Sequence, residues 1–227
     1  MRKKWIAVIA SALMLVFASL FVAGCGETAE EKQARIEREA QEKQAKAEKE
    51  AQEKQAKAEK EQKEKEEKLA AEKEKYQTAY NEVWKQINEI DRVGVQTWQN
   101  LWVEPMTGLG NGTMTAILAY QKIKNCKKEM FDISKKLSDV KISKDLPKAQ
   151  RKKIEEGISK MKDGYNVQGT AASDMSDALG DGKLTPKVMS DVESYLKTSQ
   201  TNKFEGVAKI VEAGQDLGLD TSHNGEQ

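Results

Sequence analysis

Residues 154–179 read IEEGISKMKDGYNVQGTAASDMSDAL. Ile154, Ile158, Met161, Tyr165, Gln168, Ala172, Met175 and Leu179 recur there at alternating spacings of four and three. That is the seven-residue rhythm of a helix packed nearly parallel to its neighbours. A second row runs beside it, with Gly157, Gly164, Ala171 and Ala178 falling every seven residues. A glycine inside a helix costs roughly 0.8–1 kcal/mol relative to alanine. The cost is offset where the missing side chain lets a neighbouring backbone come closer than the usual ~8–10 Å between axes. The stripe therefore predicts tight packing on another helix of the same chain, with a groove for a partner helix as the alternative.

The same rhythm appears on either side. Tyr76, Tyr80, Val83, Ile87, Ile90, Gly94, Trp98 and Leu101 form one earlier stripe. A second comprises Ala116, Tyr120, Ile123, Cys126, Met130, Ile133, Leu137 and Val140. After them come Val188, Val192 and Leu196, then Phe204, Val207, Ile210 and Leu217, with the polar run Ser199–Asn202 breaking the phase between. Turn signals separate the segments at 108–112, at 143–147 and at 180–186. Pro147 suits a first helical turn, and Thr185-Pro186 reads as a cap followed by a first-turn proline. The fold class is all-α. Residues 76–218 are expected to form an up-down-up-down four-helix bundle, followed by a polar tail over 219–227. Three prolines, a third of residues charged and few aromatics agree with long helices.

Upstream of Tyr76 the character changes. Gln41–Ala51 reads QEKQAKAEKEA, Gln52–Gln62 reads QEKQAKAEKEQ, and Glu30–Ala40 is a looser copy. Eleven residues correspond to about 3.67 per turn, close to an untwisted helix. The apolar positions carry little besides alanine, a poor seam for a coiled coil. Instead Glu42–Lys46, Glu50–Lys54, Glu53–Lys57 and Glu61–Lys65 sit four apart, each such pair adding about 0.2–0.5 kcal/mol to an isolated helix. Residues 28–75 are expected to form a lone charged helix, a stalk reaching roughly 70 Å at 1.5 Å per residue. A weak self-associating coil and a partly disordered tether are the alternatives, and each serves as a spacer.

The first 24 residues decide the location. Arg2, Lys3 and Lys4 precede an uncharged apolar run from Trp5 to Ala23, the layout of a secretory signal. It ends in Val22-Ala23-Gly24-Cys25. This resembles the lipobox of bacterial lipoproteins. The resemblance implies cleavage before Cys25, a diacylglycerol on its thiol as the one covalent lipid, and a mature chain from 25 whose stalk spans 25–75. The same run, about nineteen residues long, would also just cross a bilayer core of ~30 Å as a transmembrane helix. Either way the basic start holds the N-terminus inside, so the chain from Gly26 onward is expected on the extracytoplasmic side of the cell membrane.

The net charge is +1, or about −2 without the signal cations, which gives no reason to expect nucleic acid. With Cys25 acylated, Cys126 has no partner for a disulfide, and its place on the apolar stripe suits a small core residue. The single histidine, His223, lies in the polar tail, so no histidine triad or zinc site can be built within the bundle. No enzyme and no dissociable cofactor are expected.

Two places invite a binding role. Trp98, Trp102, Met106 and Leu109 gather where the first bundle helix meets its loop; such residues more commonly close off a bundle end, and the alternative is that they anchor an interface. The loop from Asp177 to Thr185 resembles an EF-hand, with Asp177, Asp181, Gly182 and Thr185 at positions 1, 5, 6 and 9. However, Leu179 and Val188 stand where oxygen ligands belong, and an ordinary turn is the expectation. Gln168 and the 199–202 break are expected to leave polar gaps in the core, filled by each other, by water or by a small ligand. The function expected is a tethered, non-enzymatic lipoprotein presenting its bundle to a protein partner in the envelope. A bundle sensing a small ligand or calcium is the alternative, and exclusion of phage or conjugating DNA a further one.

Overall fold

The structure, a computed structural model, describes residues 28–222. Cys25, the apolar run before it and His223 lie outside the described residues. Within the described residues, six helical segments run in order: α1 (Ala29–Trp98), a π-helical turn (Gln99–Val103), α2 (Glu104–Gly110), α3 (Ala116–Ser138), α4 (Lys148–Gly180) and α5 (Pro186–Gln215). The fold is all-α, a long charged helix leading into a bundle, and it divides into two compact units between Gln62 and Lys63.

The first unit is helix alone. Thr28 caps it: Glu31 Oε2 accepts from the Thr28 backbone N–H at 3.2 Å and from its hydroxyl at 3.0 Å, and so ties down the first turn. Every residue from 28 to 62 is exposed. Gln55 Nε2 donates to Glu59 Oε1 one turn on at 3.1 Å, the kind of local tie that a helix without tertiary packing depends on.

In the second unit, side chains leave solvent at Tyr76, where the sequence changes character. Tyr80, Val83 and Ile87 of α1 are fully buried with Ile123, Cys126, Met130 and Leu137 of α3, Ile154, Met161, Tyr165 and Met175 of α4, and Ile210 of α5. α4 packs most extensively on α5 and next on α3. The small-residue stripe explains the first contact. A Cβ placed on Gly157 would stand 2.6 Å from the Gly206 carbonyl oxygen, and one on Gly206 would stand 2.6 Å from that of Gly157. Gly164 lies against Ser199 and the Lys203 stem in the same way. The stripe serves packing within the chain.

Three boundaries differ from the sequence reading. The first bundle helix continues to Gly110, because the π turn absorbs an extra residue and rotates α2 relative to α1. α3 stops at Ser138, and the connection to α4 buries Leu146. Pro147 is the residue before α4, with extended ψ, and the helix begins at Lys148. The polar run 199–202 does not interrupt α5. Ser199 is buried because its size, not its polarity, suits the face opposite Gly164.

Two glutamines of α1 hold the connecting chain. Gln86 Nε2 donates to the Lys141 carbonyl at 3.1 Å while Lys141 N–H donates to Gln86 Oε1 at 3.0 Å. Gln77 makes the same paired bond with Asp220, at 3.1 and 2.8 Å. Each side-chain amide takes the place of a neighbouring strand, satisfying a backbone segment that has no helix of its own.

Candidate functional site

The four aromatic-cluster residues turn inward. Trp102 is 6% exposed and belongs to the core, with Trp98 and Met106 packed against that core and half-buried and Leu109 likewise half-buried. Trp98 and Trp102 stack at 4.7 Å between ring centres and 14° between planes. The reading of Trp102 as a surface anchor is corrected by the π turn, which carries it onto the buried side. The loop expectation failed with it, since these residues are still helical.

The 177–185 segment is a helix stop and a helix start. Gly182 has φ 64°. Its N–H donates to the Leu179 carbonyl at 3.3 Å, and Lys183 N–H donates to the Ala178 carbonyl at 2.8 Å. These two bonds are a Schellman motif, in which glycine takes the left-handed position after the helix. The glycine that matched a calcium loop therefore has a capping role. The Thr185 hydroxyl is occupied as the N-cap of α5, accepting from Val188 N–H at 3.3 Å. Lys183 stands 3.4 Å from Asp181, and Lys187 stands 2.7 Å from Asp191. Asp177 and Asp181 line a hollow of about 290 Å³, but among the described residues no group of three or more His, Cys, Asp or Glu is placed to hold a metal ion.

The gap expected at Gln168 and 199–202 is where the structure brings a site together. Gly94 gives the Tyr165 ring room against α1, since a Cβ there would collide with that ring. The Tyr165 hydroxyl donates to Asp91 Oδ1 at 2.6 Å. Gly164 receives the stem of Lys203, whose ammonium comes 4.1 Å above the Tyr165 ring and 3.8 Å from Asp91 Oδ1. Three helices thus meet at Asp91, Tyr165 and Lys203. Burial first, and then the Asp91 carboxylate, hold the Tyr165 phenol well above its ordinary range. Burial pulls the Lys203 ammonium below its ordinary value, with Asp91 opposing.

Beside this trio opens a cavity of about 500 Å³, within the range that takes small molecules. Val95, Trp98, Met161, Leu196, Phe204 and Val207 supply apolar wall, and Gln168, Ser199 and Gln200 supply polar wall. Gln168 Oε1 and Ser199 Oγ are buried without a hydrogen-bond partner. Of the predicted site residues, Trp98 reaches this cavity; Trp102, Met106, Leu109, Asp177, Asp181 and Thr185 do not line it. Asp91 and Lys203 carried no signal of their own in the sequence. The available clue was Tyr165, a phenol on a core stripe that must find an acceptor on a neighbouring helix.

Cys126 is fully buried, and burial, aided by the Glu129 charge, pushes its thiol up to about 12. Compared with models of known protein families, with curated proteins and with solved structures, the chain matches none.

Proposed function

We propose that this protein is a lipid-anchored, non-enzymatic envelope protein that carries a helical bundle on a charged helical spacer and offers one end of that bundle to a protein partner. The observation carrying the reading is where large apolar side chains remain in water. Ile117 is 72% exposed and Leu118 52% at the start of α3, and Leu184 is 47% and Met189 42% at the start of α5. The antiparallel order puts both starts at the end where α1 finishes, and Tyr120 of α3 lies beside Gly180 at the end of α4. Four exposed apolar side chains gathered at one end suit an interface better than water, whereas Leu69, Val95, Phe131 and Phe204 are exposed singly along α1, α3 and α5. This is the end the aromatic cluster pointed to, with different residues facing out.

The reactive groups favour binding over chemistry. A thiol held near 12 yields no thiolate at neutral pH. Anchoring rests on the resemblance of residues 22–25 to a lipobox. Among the described residues no helix is long and apolar enough to cross a membrane.

The test uses the full chain in its native envelope, with a photo-crosslinking side chain at Ile117, at Met189 or at Lys144, an exposed position at the other end. One discrete adduct from Ile117 and Met189 and none from Lys144 is expected. Equal labelling from all three sites sinks the end-surface reading. Mass spectrometry of the native N-terminus is expected to find lipid on Cys25.

A further inference from the structure

We propose that the cavity between α1, α4 and α5 binds a small amphipathic carboxylate, with its head at Lys203 and Ser199 and its body against Trp98, Met161 and Val207. Unmet hydrogen-bonding demand marks the place. Lys203 Nζ is an ammonium with three donors on a side chain that is 21% exposed, and its nearest carboxylate oxygen, at 3.8 Å, is beyond hydrogen-bond length. That oxygen accepts from the Tyr165 hydroxyl at 2.6 Å, which holds the carboxylate toward the phenol and not toward the ammonium. Asp91 balances the charge of Lys203 without accepting a hydrogen bond from it, so what the ammonium lacks is an acceptor within reach.

Ser199 lies four residues before Lys203 on α5, hence on the same face. It is 1% exposed, and its hydroxyl has no partner. A buried hydroxyl left unpaired is costly, and a carboxylate can accept from a hydroxyl and an ammonium together. Gln168 Oε1, buried and unpaired on the α4 wall, would take a donor carried by the ligand. An amine head would meet Lys203 as a like charge and would compete with Lys203 and Tyr165 for Asp91, while leaving the ammonium and the Ser199 hydroxyl without an acceptor. An alcohol would offer a single neutral oxygen to the Ser199 hydroxyl and the Lys203 ammonium, where a carboxylate offers two charged ones. The remaining wall is apolar and aromatic, and about 500 Å³ admits a body of phenylalkyl size.

The full chain is titrated calorimetrically with 4-phenylbutyrate, 4-phenylbutanol and 4-phenylbutylamine, which share a body and differ in the head. Saturable binding of the acid is expected, with the alcohol at least about tenfold weaker, since a charge-assisted pair is roughly twice as strong as a neutral one. The amine should show no binding. Lys203→Met should weaken the acid at least about tenfold and leave the alcohol unchanged. Ser199→Leu fills the cavity and should abolish binding of both. If that variant fails to fold, Leu196→Trp at the half-exposed rim serves instead, with folding checked by thermal melting. Equal affinities for the three heads, full acid affinity in Lys203→Met, or no saturable acid binding up to millimolar concentration would each overturn the proposal.

Discussion

Tyr165 shows how much rests on single side chains. Its ring fills the space that Gly94 leaves open, Lys203 covers it, and its hydroxyl reaches Asp91. Tyr165→Phe keeps the ring and removes the bond. Asp91 is about a third exposed and can turn to water, so the loss should be about 1 kcal/mol of unfolding free energy, read by urea titration. A loss above about 3 kcal/mol would mean that Asp91 is held away from solvent. Cys126 makes a different prediction. Its thiol ionises near 9.0 when free and near 12 in the fold, so above pH 9 the unfolded chain sheds a proton that the folded chain keeps. Stability from this group is complete below pH 9 and is lost as pH rises toward 12. Cys126→Ala lacks that contribution. Its deficit at neutral pH, about 1 kcal/mol for a small void, should shrink between pH 9 and 11 in paired denaturant melts. A constant deficit would show that the thiol ionises alike in both states.

At the level of elements, the α4–α5 contact is the firmest feature and was readable in advance. A heptad of Gly157, Gly164, Ala171 and Ala178 has no use on a solvated helix, so the sequence pattern alone implied a close neighbour. Gly157→Ala sets a Cβ at 2.6 Å from the Gly206 backbone oxygen, which cannot swing aside. It should destabilise by about 1–3 kcal/mol, as overpacking does. Gly110→Ala, with nothing within 4 Å, should be neutral or gain up to about 1 kcal/mol from helix propensity. Thermal melts of the pair check both signs. The π turn left only a faint trace, two consecutive steps of four from Ile90 through Gly94 to Trp98 where the stripe otherwise alternates, and one extra residue changes the facing of everything after. The glutamine clamps were equally invisible. Gln77 and Gln86 each have a local partner one turn away, Asn81 and the Glu82 carbonyl, and only the path of 139–147 and 219–222 adds the paired bond across the fold. Gln168 was visible for the opposite reason, being polar on an apolar stripe, and it led to the cavity beside it.

For the whole molecule, the repeats and the bundle divide the labour between them. Residues 28–62 bury nothing, so they contribute helix and length without adding to the core. Deleting one repeat, Gln41–Ala51, removes three turns and returns the chain in phase. The urea midpoint of the bundle should stay put while the helical circular dichroism falls in proportion. A lowered midpoint would show that the repeat packs against something.

The paired bond between Gln77 and Asp220 has a consequence for how the protein is made. Tyr80, near the first buried turn of the bundle, finds its acceptor in the Ile210 carbonyl, and Leu219 is buried at the far end of the chain. The first layer of the core is therefore completed by residues translated about 130 positions after it. At about 5–20 residues per second, that layer stays open for seconds during synthesis, which suits the export that the proposed function requires. Synthesis order thus delays closure by itself, because Gln77 and Tyr80 must wait for Asp220 and Ile210 before their layer can shut.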